Sequence, residues 1–277
     1  MTTKQALLKQ FKENMPAWRS ESVRYRYPRL VSHFIDYVGV KSTYTKADVL
    51  KFLNYIINSG MSKNYAIWSS YILKQFYEAL GIQFPLRAGD LPKLEPGDVN
   101  APIFSPNYVG SLIGAVKAKG TPMMKAYLAL STTYGLRRQE LAGVSSRDMN
   151  DSIIRINTVK GRVVREHLIP EEIKPYLSYE FRPIHPQTIT NLFIRIQRLA
   201  GVDHGDREGP HSIRRSLVTE LQNAGVPAHF VFSFMGWKLS SRLGIMGEYT
   251  RPDPVLRDSR IYEKHPFLRF WVTTIPR

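Results

Sequence analysis

The feature that most constrains this chain is a break in the helical spacing of its apolar residues, at positions 87–104. This segment contains Gly89, Pro92, Pro96, Gly97 and Pro102, mixed with acidic side chains. Because proline and glycine interrupt regular structure, such a stretch is typical of a linker. A chain of 277 residues is also long enough to form two cores. We therefore predict two domains, residues 1–86 and 105–277, joined by the linker 87–104.

The first domain carries apolar residues at the spacing of amphipathic helices. Thr45 and Ser62 each precede such a run and are good N-cap residues, because their hydroxyl groups can accept a bond from a free backbone N–H. Gly60 and Gly81 stand where these helices should end. The pattern predicts a compact bundle of four or five helices.

The second domain begins with Ser105 and Pro106, a favourable cap and first-turn pair, and further helices are predicted over 122–134, 188–199, 211–224 and 227–235. Between residues 153 and 169 the pattern changes to two β-branched runs around Lys160-Gly161-Arg162, which is typical of a β-hairpin. We expect a mainly α fold with a small β-hairpin, an α+β class.

The charge balance indicates a polyanionic partner. The chain has 39 Lys and Arg against 23 Asp and Glu, a formal net charge of +16. Nucleic acid is the leading candidate, because a membrane surface would require a basic amphipathic helix, a lipidation signal or a long apolar span. The absence of cysteine excludes thiolate zinc sites and cysteine nucleophiles. Since the N-terminus lacks the apolar run of a secretory signal, we expect a cytoplasmic, nucleoid-associated protein.

No phosphate-binding glycine loop, metalloprotease motif or nucleophile elbow is present. Instead the second domain contains an ordered set of cationic and aromatic segments. They are Gly135-Leu136-Arg137-Arg138-Gln139-Glu140, Lys160-Gly161-Arg162, His211-Ser212-Ile213-Arg214, Phe234-Met235-Gly236-Trp237 and Glu248-Tyr249-Thr250.

In this order and spacing, the five segments resemble the motifs of tyrosine recombinases of the phage integrase type. The resemblance covers nearly the whole chain and implies a helical DNA-binding domain followed by a catalytic domain, which together form a C-shaped clamp on duplex DNA. It also implies site-specific recombination or integration through a 3′-phosphotyrosyl link, with no metal or other cofactor. The family would act as a homotetramer on paired DNA sites.

The chemistry of phosphodiester cleavage explains the residue types. Charge develops on the non-bridging oxygens of a five-coordinate phosphorus, and guanidinium groups such as those of Arg137 and Arg214 can neutralise it with two donors each. Tyr249 is the candidate nucleophile, since a phenolic ester keeps the bond energy for religation. Glu140 is expected to orient Arg137 or His211.

The remaining candidates are expected to transfer protons or to donate hydrogen bonds. Lys160, on the predicted turn, can protonate the leaving 5′ oxygen if neighbouring cations lower its pKa. His211 can bind a phosphate oxygen or accept the phenolic proton. The indole N–H of Trp237 can only donate, so it is expected to help hold a phosphate oxygen.

Two other functions remain open at this point. A type IB topoisomerase would share the chemistry but relax supercoils, and a non-catalytic DNA-binding protein would keep the charge while losing site residues. Each candidate residue alone has an ordinary structural interpretation: a helix cap, a packed aromatic or a solvated turn lysine. The tail after residue 252 is more apolar than a solvated tail requires, so we expect it to dock on a core or on a neighbouring subunit.

Overall fold

The computed structural model describes residues 3–94, 101–158, 164–205, 207–237 and 253–272. The chain divides into two compact units, 1–100 and 101–277. In unit 1, the carboxylate of Asp90 lies 2.5 Å from the ammonium group of Lys46. In unit 2, the backbone N–H of Phe104 donates to the hydroxyl of Ser216 at 2.6 Å. Both ends of the segment 87–104 are therefore attached by polar contacts, each to its own unit.

Unit 1 contains four α-helices within the described residues: α1 (Lys4–Glu13), α2 (Glu21–Val38), α3 (Lys46–Asn58) and α4 (Lys63–Ala79). Their first turns confirm the predicted caps. The Thr45 hydroxyl accepts from the backbone N–H of Asp48, and the Ser62 hydroxyl accepts from that of Tyr65. Each bond satisfies one of the donors that a helix start leaves free, so the sequence determines where these helices begin.

The core of unit 1 is built around three phenylalanines that come from different helices. The ring of Phe34 lies 5.3 Å from that of Phe52 and 6.4 Å from that of Phe76, both at steep angles. Edge-to-face contacts of this kind add to the free energy of burying large aromatic rings. The periodic apolar residues of this unit therefore meet in one packed cluster.

Unit 2 contains the remaining described α-helices: α5 (Pro106–Lys119), α6 (Pro122–Tyr134), α7 (Arg138–Ala142), α8 (Pro186–Leu199), α9 (Pro210–Asn223), α10 (Ala228–Met235) and α11 (Pro254–Tyr262). Every residue of helix α6 from Ala126 to Tyr134 is buried, so this helix forms the centre of the unit. Among all the described helices, none combines the length and apolarity needed to cross a membrane.

A two-stranded antiparallel sheet follows α7, with β1 at Ile153–Asn157 and β2 at Val164–Leu168. Ile153 pairs with Leu168 and Asn157 pairs with Val164. The residues that join the strands, 159–163, lie outside the described part of the chain. The predicted fold class, mainly α with a small β-hairpin, is confirmed.

The tail docks on the core of its own unit. Phe267 and Trp271 are fully buried there. The indole N–H of Trp271 donates to the hydroxyl of Thr132, on α6, at 3.0 Å. This bond satisfies a buried donor that would otherwise destabilise the fold. The apolar residues predicted to need a partner surface therefore find it within the same chain.

His265 joins this tail to α6 and is held in its neutral form. Its Nδ1 lies 3.2 Å from the backbone nitrogens of both Phe267 and Leu268, so that atom must accept. Its Nε2 lies 3.0 Å from the carbonyl oxygen of Thr133, so that atom carries the proton. Burial lowers the pKa of His265 to about 4, although the bond to Thr133 opposes the shift.

This environment predicts acid destabilisation. The unfolded chain binds the histidine proton at an ordinary pKa of about 6.5, so the free energy of unfolding should fall between about pH 6.5 and 4, by up to about 3 kcal/mol from this residue. Denaturant titrations across this range should show a weaker pH dependence in His265→Gln. The exposed His229, changed to Gln, is the matched control and should retain the wild-type dependence. An unchanged pH dependence in His265→Gln would contradict this account.

Candidate active site

The site begins at the end of α6, where Gly135 takes a left-handed conformation with φ of +58°. A Cβ atom there would lie 2.8 Å from the Met235 side chain and 3.3 Å from that of Leu217. Glycine adopts this conformation most readily, and its lack of a Cβ atom leaves room for the terminal methyl group of Met235. The turn ends the buried helix, and Arg137 becomes the N-cap residue, immediately before α7.

Arg137 and Glu140 form an ion pair and a helix cap at the start of α7. The carboxylate of Glu140 accepts from the Arg137 backbone N–H at 2.9 Å and from its guanidinium Nη1 at 2.7 Å. The Glu140 side chain is fully buried, whereas that of Arg137 keeps 23% of its surface exposed. Burial alone would raise the pKa of Glu140, but these bonds and the charges of Arg137 and Arg165 hold it below the usual value. Glu140 therefore remains an anion that orients the Arg137 guanidinium.

Arg214 reaches the same place from α9. Its guanidinium donates through Nη1 to the carbonyl of Gly135 and through Nη2 to that of Met235, both at 2.8 Å. Nη1 also lies 3.9 Å from Glu140 Oε2. These carbonyls belong to the ends of α6 and α10, so one side chain joins three helices. Burial, aided by the charges of nearby arginines, lowers the pKa of Arg214 to about 9.

Trp237 stands beside this guanidinium, after the left-handed Gly236 that ends α10. The Cζ atom of Arg214 lies 5.4 Å from the centre of the indole ring. Unlike the buried residues around it, Trp237 is 37% exposed. Its indole N–H donates to no acceptor in the described part of the chain, so this donor can face a ligand.

The other predicted residues are placed as follows. His211 lies in the first turn of α9, one turn before Arg214, and its side chain is exposed. Lys160 and Tyr249 lie outside the described residues. The described residues on either side of each are known: Lys160 lies between strands β1 and β2, and Tyr249 lies between Trp237 and helix α11 in the sequence.

The sequence reasoning missed Arg165, which the structure adds to the cluster. Its side chain on β2 is 2% exposed, and its Nη2 lies 3.5 Å from Glu140 Oε2. Three guanidinium groups, those of Arg137, Arg165 and Arg214, therefore surround one carboxylate. An excess of two positive charges in a buried site is suited to a phosphate group.

Comparisons with known proteins identify the family of this chain. The sequence model of the phage integrase family matches residues 104–254. A tyrosine recombinase from Thermosipho africanus is 24% identical over 242 residues, which cover 78% of this chain and 85% of that protein.

Two solved structures share the fold. A lambda integrase tetramer bound to a Holliday junction has a TM-score of 0.66 at 16% identity, over 91% of this chain and 78% of that one. The site-specific recombinase XerH, in a post-cleavage complex with a palindromic difH substrate, has a TM-score of 0.66 at 13% identity. The match covers 95% of this chain and 86% of that one. The family match covers more than half of the chain and includes every residue of the cluster. This chain therefore belongs to the phage integrase family, the tyrosine recombinases, which are enzymes that cleave and rejoin DNA strands.

Proposed function

We propose that this protein is a site-specific recombinase of the integrase type that acts on duplex DNA through a 3′-phosphotyrosyl intermediate. One observation carries the proposal: guanidinium groups from two widely separated motifs meet at the buried carboxylate of Glu140, beside the half-exposed ring of Trp237. A surface site that only binds DNA has no need of preorganised, desolvated arginines, whereas a site that stabilises developing charge does.

In the proposed reaction, the phenolic oxygen of Tyr249 attacks the scissile phosphorus. A bond forms between this oxygen and phosphorus, and the bond from phosphorus to the 5′ oxygen breaks. His211 accepts the phenolic proton or binds a phosphate oxygen, and Lys160 supplies the proton that the leaving 5′ oxygen needs. Religation runs the same steps in reverse, with a 5′ hydroxyl as the nucleophile.

The arginines act on the phosphate itself. The Arg137 guanidinium is held by Glu140 from one side, so its remaining donors can face a non-bridging oxygen. Arg214 is anchored by two backbone carbonyls and needs no reorganisation when charge develops. The indole N–H of Trp237 adds a further donor at the exposed edge of the cluster.

Unit 1 contributes a surface suited to the DNA backbone, which we call the basic aromatic face. Arg26 lies 5.9 Å from the ring of Trp68, and Arg29 lies 5.1 Å from that of Tyr25, on helices α2 and α4. These arginines and Arg24 are exposed. Within the residues that the structure describes, none of the three forms an ion pair. Exposed arginines held against aromatic rings can contact phosphates and sugars without ordering long flexible side chains.

We further propose that the active assembly is a homotetramer on paired DNA sites. The lambda integrase structure, a tetramer bound to a Holliday junction, supports this assembly for a chain of the same fold. Binding of this kind would associate the protein with the nucleoid.

The experiment that tests the proposal is covalent trapping. A pool of duplexes with randomised sequence around a nick is incubated with the protein in EDTA, and adducts that survive denaturant are recovered and amplified. Because arginines provide the charge neutralisation, we expect covalent adducts to form at a rate unchanged by the chelator. A strict requirement for magnesium in the cleavage step would contradict the proposal. The duplex selected in this way is the substrate for the experiments below.

A further inference from the structure

Strand β2 turns two charged or titratable side chains inward. Its residues alternate, so Val164 is exposed while Arg165 and His167 are buried. The backbone pairing places Arg165 opposite Ile156, a residue of the hydrophobic core. A buried arginine opposite an apolar residue requires polar partners, because removing a guanidinium group from water is strongly unfavourable.

The compensation for Arg165 is incomplete within the described residues. Its Nη1 donates to the carbonyl of Phe234 at a short distance. Its Nη2 lies within ion-pair distance of Glu140, but among the residues that the structure describes neither Nη2 nor Nε finds a hydrogen-bond acceptor. A buried donor without an acceptor destabilises the fold, and a charged one does so more strongly. The Nε and Nη2 groups of Arg165 are therefore left without an acceptor from the described part of the chain.

The surrounding charges do not account for these unused donors. Glu140 is already bonded twice by Arg137. Burial, and the neighbouring cations of Arg137 and Arg257, lower the pKa of Arg165 to about 10 despite the attraction of Glu140 and Asp258. Because these two carboxylates do not restore the ordinary pKa, an added anion would stabilise the charged guanidinium further.

The Arg165 side chain packs closely against Gly236, the residue before Trp237. A Cβ atom built at Gly236 would lie 2.5 Å from Arg165 Cδ and 2.9 Å from its Nε. The Nε group therefore lies against the turn that carries Trp237, and the absence of a side chain at residue 236 makes room for it. Nη2 of Arg165 and Nη1 of Arg214 also approach the same oxygen of Glu140.

We propose that Arg165 is a third guanidinium for the scissile phosphate, donating from Nε and Nη2 to a non-bridging oxygen. This role goes beyond the residues that the motifs suggested, and it rests on the proposed function. Arg165 then touches the substrate, in addition to holding the end of α10 through the Phe234 carbonyl.

The test separates contact with the phosphate from support of the fold. Single-turnover cleavage of the selected duplex is compared with cleavage of the same duplex carrying a methylphosphonate at the scissile position, with both stereoisomers measured. A methylphosphonate lacks one charged oxygen, so a donor to that oxygen has less to stabilise. We expect Arg165→Met to slow cleavage of the phosphate roughly a hundredfold, and to slow one methylphosphonate isomer by no more than about threefold.

Arg155→Met is the matched control. Arg155 lies on β1 of the same hairpin, but its side chain is 66% exposed and it pairs with the outward Glu166. This variant should cleave all substrates at nearly the wild-type rate. Arg165→Lys keeps a charge in the site with fewer donors, so it should show an intermediate loss and the same dependence on the isomer, and it serves if Arg165→Met does not fold.

The outcomes are distinguishable. An equal loss on the phosphate and on both methylphosphonate isomers would reduce Arg165 to a support for α10 and overturn the inference, as would wild-type rates in Arg165→Met. If the wild-type protein itself forms no covalent adduct, the proposed function fails, and the inference fails with it.

Discussion

Tyr249→Phe is expected to abolish the covalent protein–DNA adduct while leaving affinity for the duplex nearly unchanged. The substitution removes only one hydroxyl group, which is the proposed nucleophile, and a phenyl ring has no atom that can attack phosphorus. Cleavage should therefore fall to the detection limit, whereas the positive charge that determines binding stays intact. Adduct yield on the selected duplex and binding in a titration measure the two effects separately.

Tyr71→Phe is the control for this experiment. Tyr71 is 58% exposed on α4. Its hydroxyl has no proposed role, so the variant should trap DNA as the wild type does. Wild-type adduct levels in Tyr249→Phe would show that the nucleophile is another residue. Loss of both adduct and binding would show instead that the substitution disturbs the fold.

Arg214→Ala should slow single-turnover cleavage by a hundredfold or more, roughly the effect of removing one preorganised transition-state donor. Its effect on binding should be much smaller. A residue that contacts one phosphate changes the slope of log affinity against log salt by about one unit at most. Because Arg214 also joins the ends of α6 and α10, thermal unfolding must be measured in parallel.

Lys93→Ala provides the opposite pattern. Lys93 is exposed in the predicted linker 87–104, so its loss should weaken binding slightly and spare cleavage at saturating protein. Cleavage rate and salt slope are measured for both variants. If Arg214→Ala lost only affinity and cleaved normally once saturated, the transition-state donor would lie elsewhere.

The sequence predicted the helical parts of the fold well, for local physical reasons. The caps at Thr45, Ser62 and Ser105 are bonds between a hydroxyl and a backbone N–H three residues further on, so they depend on nearby residues only. Gly60 and Gly81, where helix ends were predicted, have positive φ angles and follow the ends of α3 and α4 by two residues. These signals need no knowledge of tertiary contacts.

The cluster around Glu140 could be predicted only in part. The ordered motifs indicated that Arg137 and Arg214 act together, and the structure brings both within ion-pair distance of Glu140. Their anchoring to carbonyls of Gly135 and Met235 could not be predicted, because it depends on how three helices pack.

Arg165 was missed because the direction of its side chain depends on the register of β2. A shift of one residue would turn it to the solvent, and in a run such as Val164-Arg165-Glu166-His167 the charged residues give no clear inward face. Such a residue is normally assigned to the surface. Only the pairing of Ile156 with Arg165 shows which side of the strand is buried.

The same limitation applies to His265 and to the helix α11. No pattern around His265 in the sequence indicates its partners, whereas the structure surrounds it with three backbone groups. In α11, Asp258 accepts from the backbone N–H of Leu168 at 2.7 Å and from Arg257 at 2.6 Å. This contact attaches the helix that follows the Tyr249 segment to strand β2 of the same unit. Long-range polar contacts of this kind leave no periodic signal in a sequence.

The central claim is that cleavage leaves the DNA attached to Tyr249, and peptide mapping of the trapped adduct tests it most directly. After nuclease and trypsin digestion, mass spectrometry should find the nucleotide on the peptide 243–257, in which Tyr249 is the only tyrosine. Fragmentation should then assign the added mass to Tyr249 and not to the neighbouring Thr250. A nucleotide on any other residue, or cleaved DNA with no protein attached, would contradict the account.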